Sequence, residues 1–101
     1  MGVNHLGHFY LTYLLWKLIK TSNPRIINVA SEAHRGFGYP KYNAKIDFND
    51  MSYKDSAFKW TFAYTRSKIA NILFTRKLQV KMKEKGIKGL TFSLEPGVVT
   101  T

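Results

Sequence analysis

The apolar positions of this chain fall into four blocks with different spacings. Leu6, Phe9, Tyr10, Tyr13 and Leu14 recur at i, i+3, i+4, i+7 and i+8, which predicts a helix from about Asn4 to Lys20. Leu11, Leu15, Leu18 and Ile19 make its opposite side apolar too, so this helix is either covered on several sides or waits for a partner. Ser22-Asn23-Pro24 ends it. The β-branched run Arg25 to Ala30 then fits a buried strand that stops at Ser31. From Glu32 to Thr61 the pattern is irregular, with Gly36, Gly38 and Pro40 near its start, and predicts a long loop of the functional or mobile kind.

A second helix is expected from about Phe62 to Lys85. Ile69, Ile72, Leu73 and Val80 are placed on one face, with Ala70, Phe74 and Leu78 on a neighbouring one. Arg76, Lys77, Lys81, Lys83 and Lys85 crowd its last turns, where cations suit the helix dipole, and Gly86 is the expected C-terminal cap. Gly89 to Leu94 reads as a second strand, broken by Pro96-Gly97. The resulting αβαβ order implies a parallel sheet with crossover helices. Two parallel strands make a very small sheet, and such sheets need cover on both faces. The sequence therefore reads as a piece of a larger α/β domain.

Composition narrows the function classes. The 101 residues suffice for one small domain, and an apolar fraction of 45% excludes a disordered tail. Cysteine is absent, so neither a disulfide framework nor a thiol nucleophile is available. The block Phe9 to Ile19 is shorter than the roughly 20 residues of a transmembrane helix. It also lacks the flanks of a signal peptide, and the expectation is an intracellular chain. A net charge of +10 brings nucleic acid and anionic membrane surfaces forward as partners. No nucleic-acid motif accompanies that charge, and nucleic acid is set aside. A basic amphipathic helix keeps membrane-surface association open. His5 and His8 have a spacing a metal can use, but no third ligand supports them, and no metal site is assigned.

Tyr64 and Lys68 lie at i and i+4, on one face of the second helix. The chemistry that wants this pair is proton transfer by a phenol, which a neighbouring ammonium makes easier to ionise. Tyr13 and Lys17 have the same spacing, so the pair alone is weak and its bland reading is a surface contact. Context strengthens it. Ser31 ends a strand at the C-terminal edge of a parallel sheet, where open α/β proteins place ligands, and Glu95 to Thr101 follows the other strand along the same edge.

With these residues together the chain resembles the short-chain dehydrogenase/reductase family, most closely its retinol dehydrogenase-like and WW domain-containing oxidoreductase-like members. Val3 to Phe9 resembles the start of the family's central helix, with Asn4 as the asparagine of its catalytic tetrad. Arg25 to Ser31 resembles the strand that delivers the catalytic serine, Ser31. Tyr64, Ser67 and Lys68 match the Tyr-x-x-x-Lys segment, and Pro96, Gly97, Val99 and Thr101 fall in the Pro-Gly-x-x-x-Thr segment beside the nicotinamide.

The resemblance implies a Rossmann-like sheet of which this is the C-terminal part. It also implies an oxidoreductase that interconverts an alcohol and a carbonyl with NADP or NAD, NADP being favoured by the resemblance only. In that scheme Tyr64 exchanges the proton, Lys68 assists it and holds the cofactor ribose, Ser31 holds the substrate oxygen, and Asn4 joins a water relay to Lys68. A retinoid, steroid or lipid aldehyde is the implied substrate class, and a cytoplasmic or endoplasmic-reticulum-associated location is implied with it.

Two departures accompany the resemblance. Ser31 and Tyr64 are further apart than in many members. No glycine-rich pyrophosphate turn is found either, since Gly36-Phe37-Gly38 lacks the third glycine and sits in the expected loop. The expectation is a fragment, inactive alone. Simpler roles stand beside the catalytic ones: Asn4 as a helix N-cap, Ser31 as a local cap, and Phe58, Trp60 and Phe62 as core rather than channel. A homodimer and a non-catalytic interaction segment complete the alternatives.

Overall fold

The structure, a computed structural model, describes residues 1–35, 46–52 and 60–100. Gly36, Gly38, Pro40, Phe58 and Thr101 lie outside the described residues. The chain begins with a turn of π-helix, Gly2–Leu6, in which the N–H groups of His5 and Leu6 both reach the Met1 carbonyl at 3.0 Å. Two α-helices follow, α1 (Gly7–Leu14) and α2 (Trp16–Thr21), separated by a step at Leu15 with ψ near 1°. The bond from Ile19 N–H to the Leu15 carbonyl carries the helical path across that step. The single helix expected from Asn4 to Lys20 is thus three pieces beginning at Gly2. Ser22 stops it by turning extended, and its hydroxyl donates to the Leu18 carbonyl at 2.7 Å.

Strands β1 (Arg25–Val29) and β2 (Leu90–Leu94) pair in parallel, from Arg25 opposite Leu90 to Val29 opposite Leu94. Bonds from Leu90 N–H to the Pro24 carbonyl and from Ala30 N–H to the Leu94 carbonyl extend the ladder at its two ends. Helix α3 (Trp60–Glu84) makes the crossover and, as parallel pairing requires, runs back against the strand direction. Its N-terminal turns therefore lie near the C-terminal ends of the strands. A 3₁₀ turn, Glu32–Arg35, packs on α3 directly after β1, inside the stretch expected to be loop.

One expectation about burial is corrected. β1 is not buried on both faces: Asn28 points toward α3 and is buried, whereas Ile27 and Val29 are exposed on the other side with Leu90, Phe92 and Leu94 of β2. On α3, Leu73 and Val80 are exposed, and the buried side is Thr65, Ser67, Ala70, Asn71, Thr75, Leu78 and Met82. Most of that side is polar because the strand pair leaves backbone groups over, and buried carbonyls and N–H groups need partners. Gln79 takes two of them, donating to the Gly89 carbonyl and accepting from Thr91 N–H at 2.7 Å. The apolar core is small and gathers where α3 ends and the strands begin, with Ile19, Leu78, Met82 and Ile87 flanked by Trp16, Ile26 and Phe74.

Candidate active site

The C-terminal ends of β1 and β2 form the edge on which most of the expected residues assemble. Asn4 sits inside the π-helical turn and caps nothing, because Met1 is the N-cap residue and no side chain caps this end. Its side chain instead donates from Nδ2 to Ser67 Oγ at 3.1 Å, and Ser67 Oγ donates to the Tyr64 carbonyl at 2.7 Å. The tetrad-like asparagine is thus tied to the helical turn that carries Tyr64 and Lys68. The two are 63 positions apart in sequence and meet because α3 returns alongside the first helix.

Lys68 reaches the same edge. Its Nζ donates to the Val29 carbonyl at 3.4 Å and stands 5.4 Å from the centre of the Tyr64 ring. That separation suits an ammonium over an aromatic face. Ser31 follows two residues after Val29, and its hydroxyl accepts from Ala33 N–H at 3.2 Å while its carbonyl meets His34 Nδ1 at 2.6 Å. The local capping role expected for Ser31 is therefore realised, at the place where a strand hands over to a turn.

Pro96, Gly97 and Val99 follow β2 on the same edge. Gly97 has φ +78°, a conformation only glycine adopts without strain, and its missing side chain faces open space. Glu95 fastens this turn to the serine segment: one carboxylate oxygen accepts from Gly97 N–H at 3.0 Å and the other from Glu32 N–H. Trp60 and Phe62, expected ahead of the second helix, lie in the first turn of α3, where Trp60 is exposed and Phe62 half-buried.

Sequence reasoning missed Asn71, Asn28, Thr75 and Glu95. Asn71 Nδ2 donates to the carbonyls of Asn4 and Val29 at 2.8 and 3.2 Å, and its Oδ1 lies 3.1 Å from His5 Nδ1. Asn28 Nδ2 donates to Thr75 Oγ1 at 2.9 Å, which donates in turn to the Asn71 carbonyl at 2.7 Å. The signal was present in the spacing: Ser67, Asn71, Thr75 and Gln79 recur every fourth position, a polar row on one side of a helix. Beside this row, on the outside of the molecule, Phe9, Tyr13, Trp16, Phe74 and Leu78 line a groove of about 240 Å³ with Lys77 and Lys81 at its rim. Among the described residues, no helix is long and apolar enough to cross a membrane.

Compared with known proteins, the chain matches no protein-family model. It is 44% identical over 100 residues to retinol dehydrogenase 12 of Homo sapiens, covering 98% of this chain and 28% of that protein. It is 46% identical over 101 residues to retinol dehydrogenase 14 of Mus musculus, covering 99% of this chain and 27% of that protein. The chain thus spans little more than a quarter of the length of the curated relatives it matches. Among solved structures, an uncharacterised protein from Mycobacterium Paratuberculosis superposes with a TM-score of 0.80 at 34% identity, over 99% of this chain and 34% of that one.

Proposed function

We propose, for a chain that belongs to the retinol dehydrogenase-like short-chain dehydrogenases/reductases, that it supplies the proton-transfer half of an NAD(P)-dependent interconversion of an alcohol and a carbonyl. The observation that supports this reading most is the assembly of Asn4, Tyr64 and Lys68 through Ser67 and Val29 at one sheet edge. Tyr64 gives its phenolic proton to the substrate oxygen in reduction and takes it back in oxidation. Lys68, whose ammonium stands over the Tyr64 ring, stabilises the phenolate between the two events. Ser31 donates to the same oxygen where negative charge develops, its hydroxyl oxygen still free to accept from Ala33 N–H. Asn4 links Lys68 to a relay of water molecules that carries protons to and from solvent.

The residues present fit a nicotinamide nucleotide. Gly97 leaves open space at the turn where a side chain would stand, and the Lys68 ammonium lies at the same edge for ribose hydroxyls. Pro96, Gly97, Val99 and Thr101 are the residues we assign to the nicotinamide side. When bound, such a nucleotide would give hydride to the substrate carbon in reduction and accept it in oxidation. A retinoid, steroid or lipid aldehyde is the proposed substrate class, with NADP preferred over NAD.

We further propose that the 101 residues do not turn over by themselves. The test places this chain in retinol dehydrogenase 12 in exchange for its matching hundred residues and follows NADPH oxidation with an aldehyde. The expected result is turnover by the chimera, none by the isolated chain, and a loss of about 10²- to 10⁴-fold with Tyr64→Phe. A chimera that folds and is unaffected by Tyr64→Phe overturns the assignment. A second reading, an interaction segment without turnover, is favoured by the exposed aromatic groove with Lys77 and Lys81 at its rim. It predicts binding to anionic vesicles that weakens steeply with salt and ignores Tyr64→Phe.

A further inference from the structure

We infer that Asn71 is a positioning residue: one carboxamide holds the main chain at Asn4, the Val29 carbonyl that Lys68 also reaches, and the ring of His5 in its Nδ1–H tautomer. The catalytic consequence rests on the reductase reading above, whereas the geometry rests on the capacities of the groups involved.

Asn71 is 1% exposed, so each of its polar atoms must find a partner within the protein. Two carbonyls, of Asn4 and Val29, lie 2.8 and 3.2 Å from Nδ2. A carbonyl only accepts, and a carboxamide has two N–H donors, both on its nitrogen. The amide therefore has one workable orientation, and reversing it would set an oxygen against two oxygens. Oδ1 is left 3.1 Å from His5 Nδ1. It too only accepts, so Nδ1 carries the hydrogen and the neutral ring keeps its lone pair on Nε2. Phe74 packs against the same ring, with centroids 5.9 Å apart, edge to face.

The position of Asn71 explains why the arrangement needs it. Ser67 grips the side chain of Asn4, and Asn71, one helical turn along, grips its main chain. Asn4 is thus held from both ends inside a π-helical turn, a form that occurs mostly as single turns and often at functional sites. Lys68 and Asn71 meet again on the Val29 carbonyl, so the expected relay asparagine and the expected catalytic lysine are referenced to one carboxamide.

The test is side-chain ¹⁵N NMR of the 101-residue chain above neutral pH, with exposed His8 as the reference ring. The expected spectrum has His5 with a proton-bearing Nδ1 and a lone-pair Nε2. Asn71→Leu, which removes donors and acceptor together, should release His5 to the Nε2–H form that a free ring prefers. In the same variant the Asn4 and Val29 carbonyl ¹³C resonances should move upfield as their donors are lost. Gln79→Leu, two turns along the same row, should leave the His5 tautomer unchanged. A wild-type His5 protonated on Nε2 overturns the inference, as does an Asn71→Leu spectrum in which Nδ1 keeps its proton. If Asn71→Leu does not fold, the wild-type His5 tautomer decides the matter. The nitrogen resonances do not depend on turnover, and turnover by the chimera does not report the tautomer, so the two readings fail separately.

Discussion

Thr75 carries two bonds at once, accepting from Asn28 Nδ2 and donating to the Asn71 carbonyl, in a site 5% exposed. Thr75→Val keeps the shape and removes both, leaving a buried amide without an acceptor. The expected cost is about 1–3 kcal/mol, read as a lower urea midpoint with unchanged slope. Asn28→Leu alone should cost a similar amount, and the pair should cost less than the two separately, because no donor is then stranded. At this scale the sequence singled out the residues proposed for proton transfer more readily than those that hold them. Tyr64, Lys68 and Ser31 stand out by spacing and by strand position. Asn28 reads as one more residue in a strand and Asn71 as one more in a helix, because their worth lies in partners 47 and 67 positions away. The alternative role of Asn4 as a helix N-cap is not realised, since the π-turn that takes it into the helix has no sequence signature of its own.

At the scale of elements, the end of α3 was the clearest feature of the pattern. Gly86 has φ +70°, Ile87 N–H returns to the Met82 carbonyl at 2.9 Å and Gly86 N–H to the Lys83 carbonyl at 3.1 Å. These are the two bonds of a Schellman end, and Ile87 and Met82 supply its apolar contact. Gly89, three residues on, is required for a different reason. A Cβ there would meet Met82 Cε and would stand 2.8 Å from the Pro24 carbonyl oxygen. Gly86→Ala, in open space but left-handed, should cost about 1–2 kcal/mol. Gly89→Ala, against backbone, should cost about 1–3 kcal/mol and fall at the higher end. Denaturant midpoints of the two variants measured side by side check the order. The strands and both main helices were legible within two residues at their ends. The buried side of α3 was not, because periodicity marks apolar residues while this helix meets its strands through hydroxyls and amides.

For the molecule as a whole, α3 covers one side of the strand pair, while Ile27, Val29, Leu90, Phe92 and Leu94 remain exposed on the other. Parallel sheets are stable with both faces covered, so this side is a surface prone to association. Phe92→Lys should raise the concentration at which the chain self-associates, seen in sedimentation velocity as a larger monomer fraction at equal loading. A monomer fraction equal to that of the wild type would place the sticky surface elsewhere, with the groove between Tyr13 and Phe74 the next to substitute.

The pairing of Arg25 with Leu90 also has a meaning in time. A ribosome adds about 5–20 residues each second. The roughly 65 positions between these partners are therefore made over about 3 to 13 s. Within that interval the bonds of β1 to α3 come first, once Lys68, Asn71 and Thr75 have been made, and its ladder to β2 comes last.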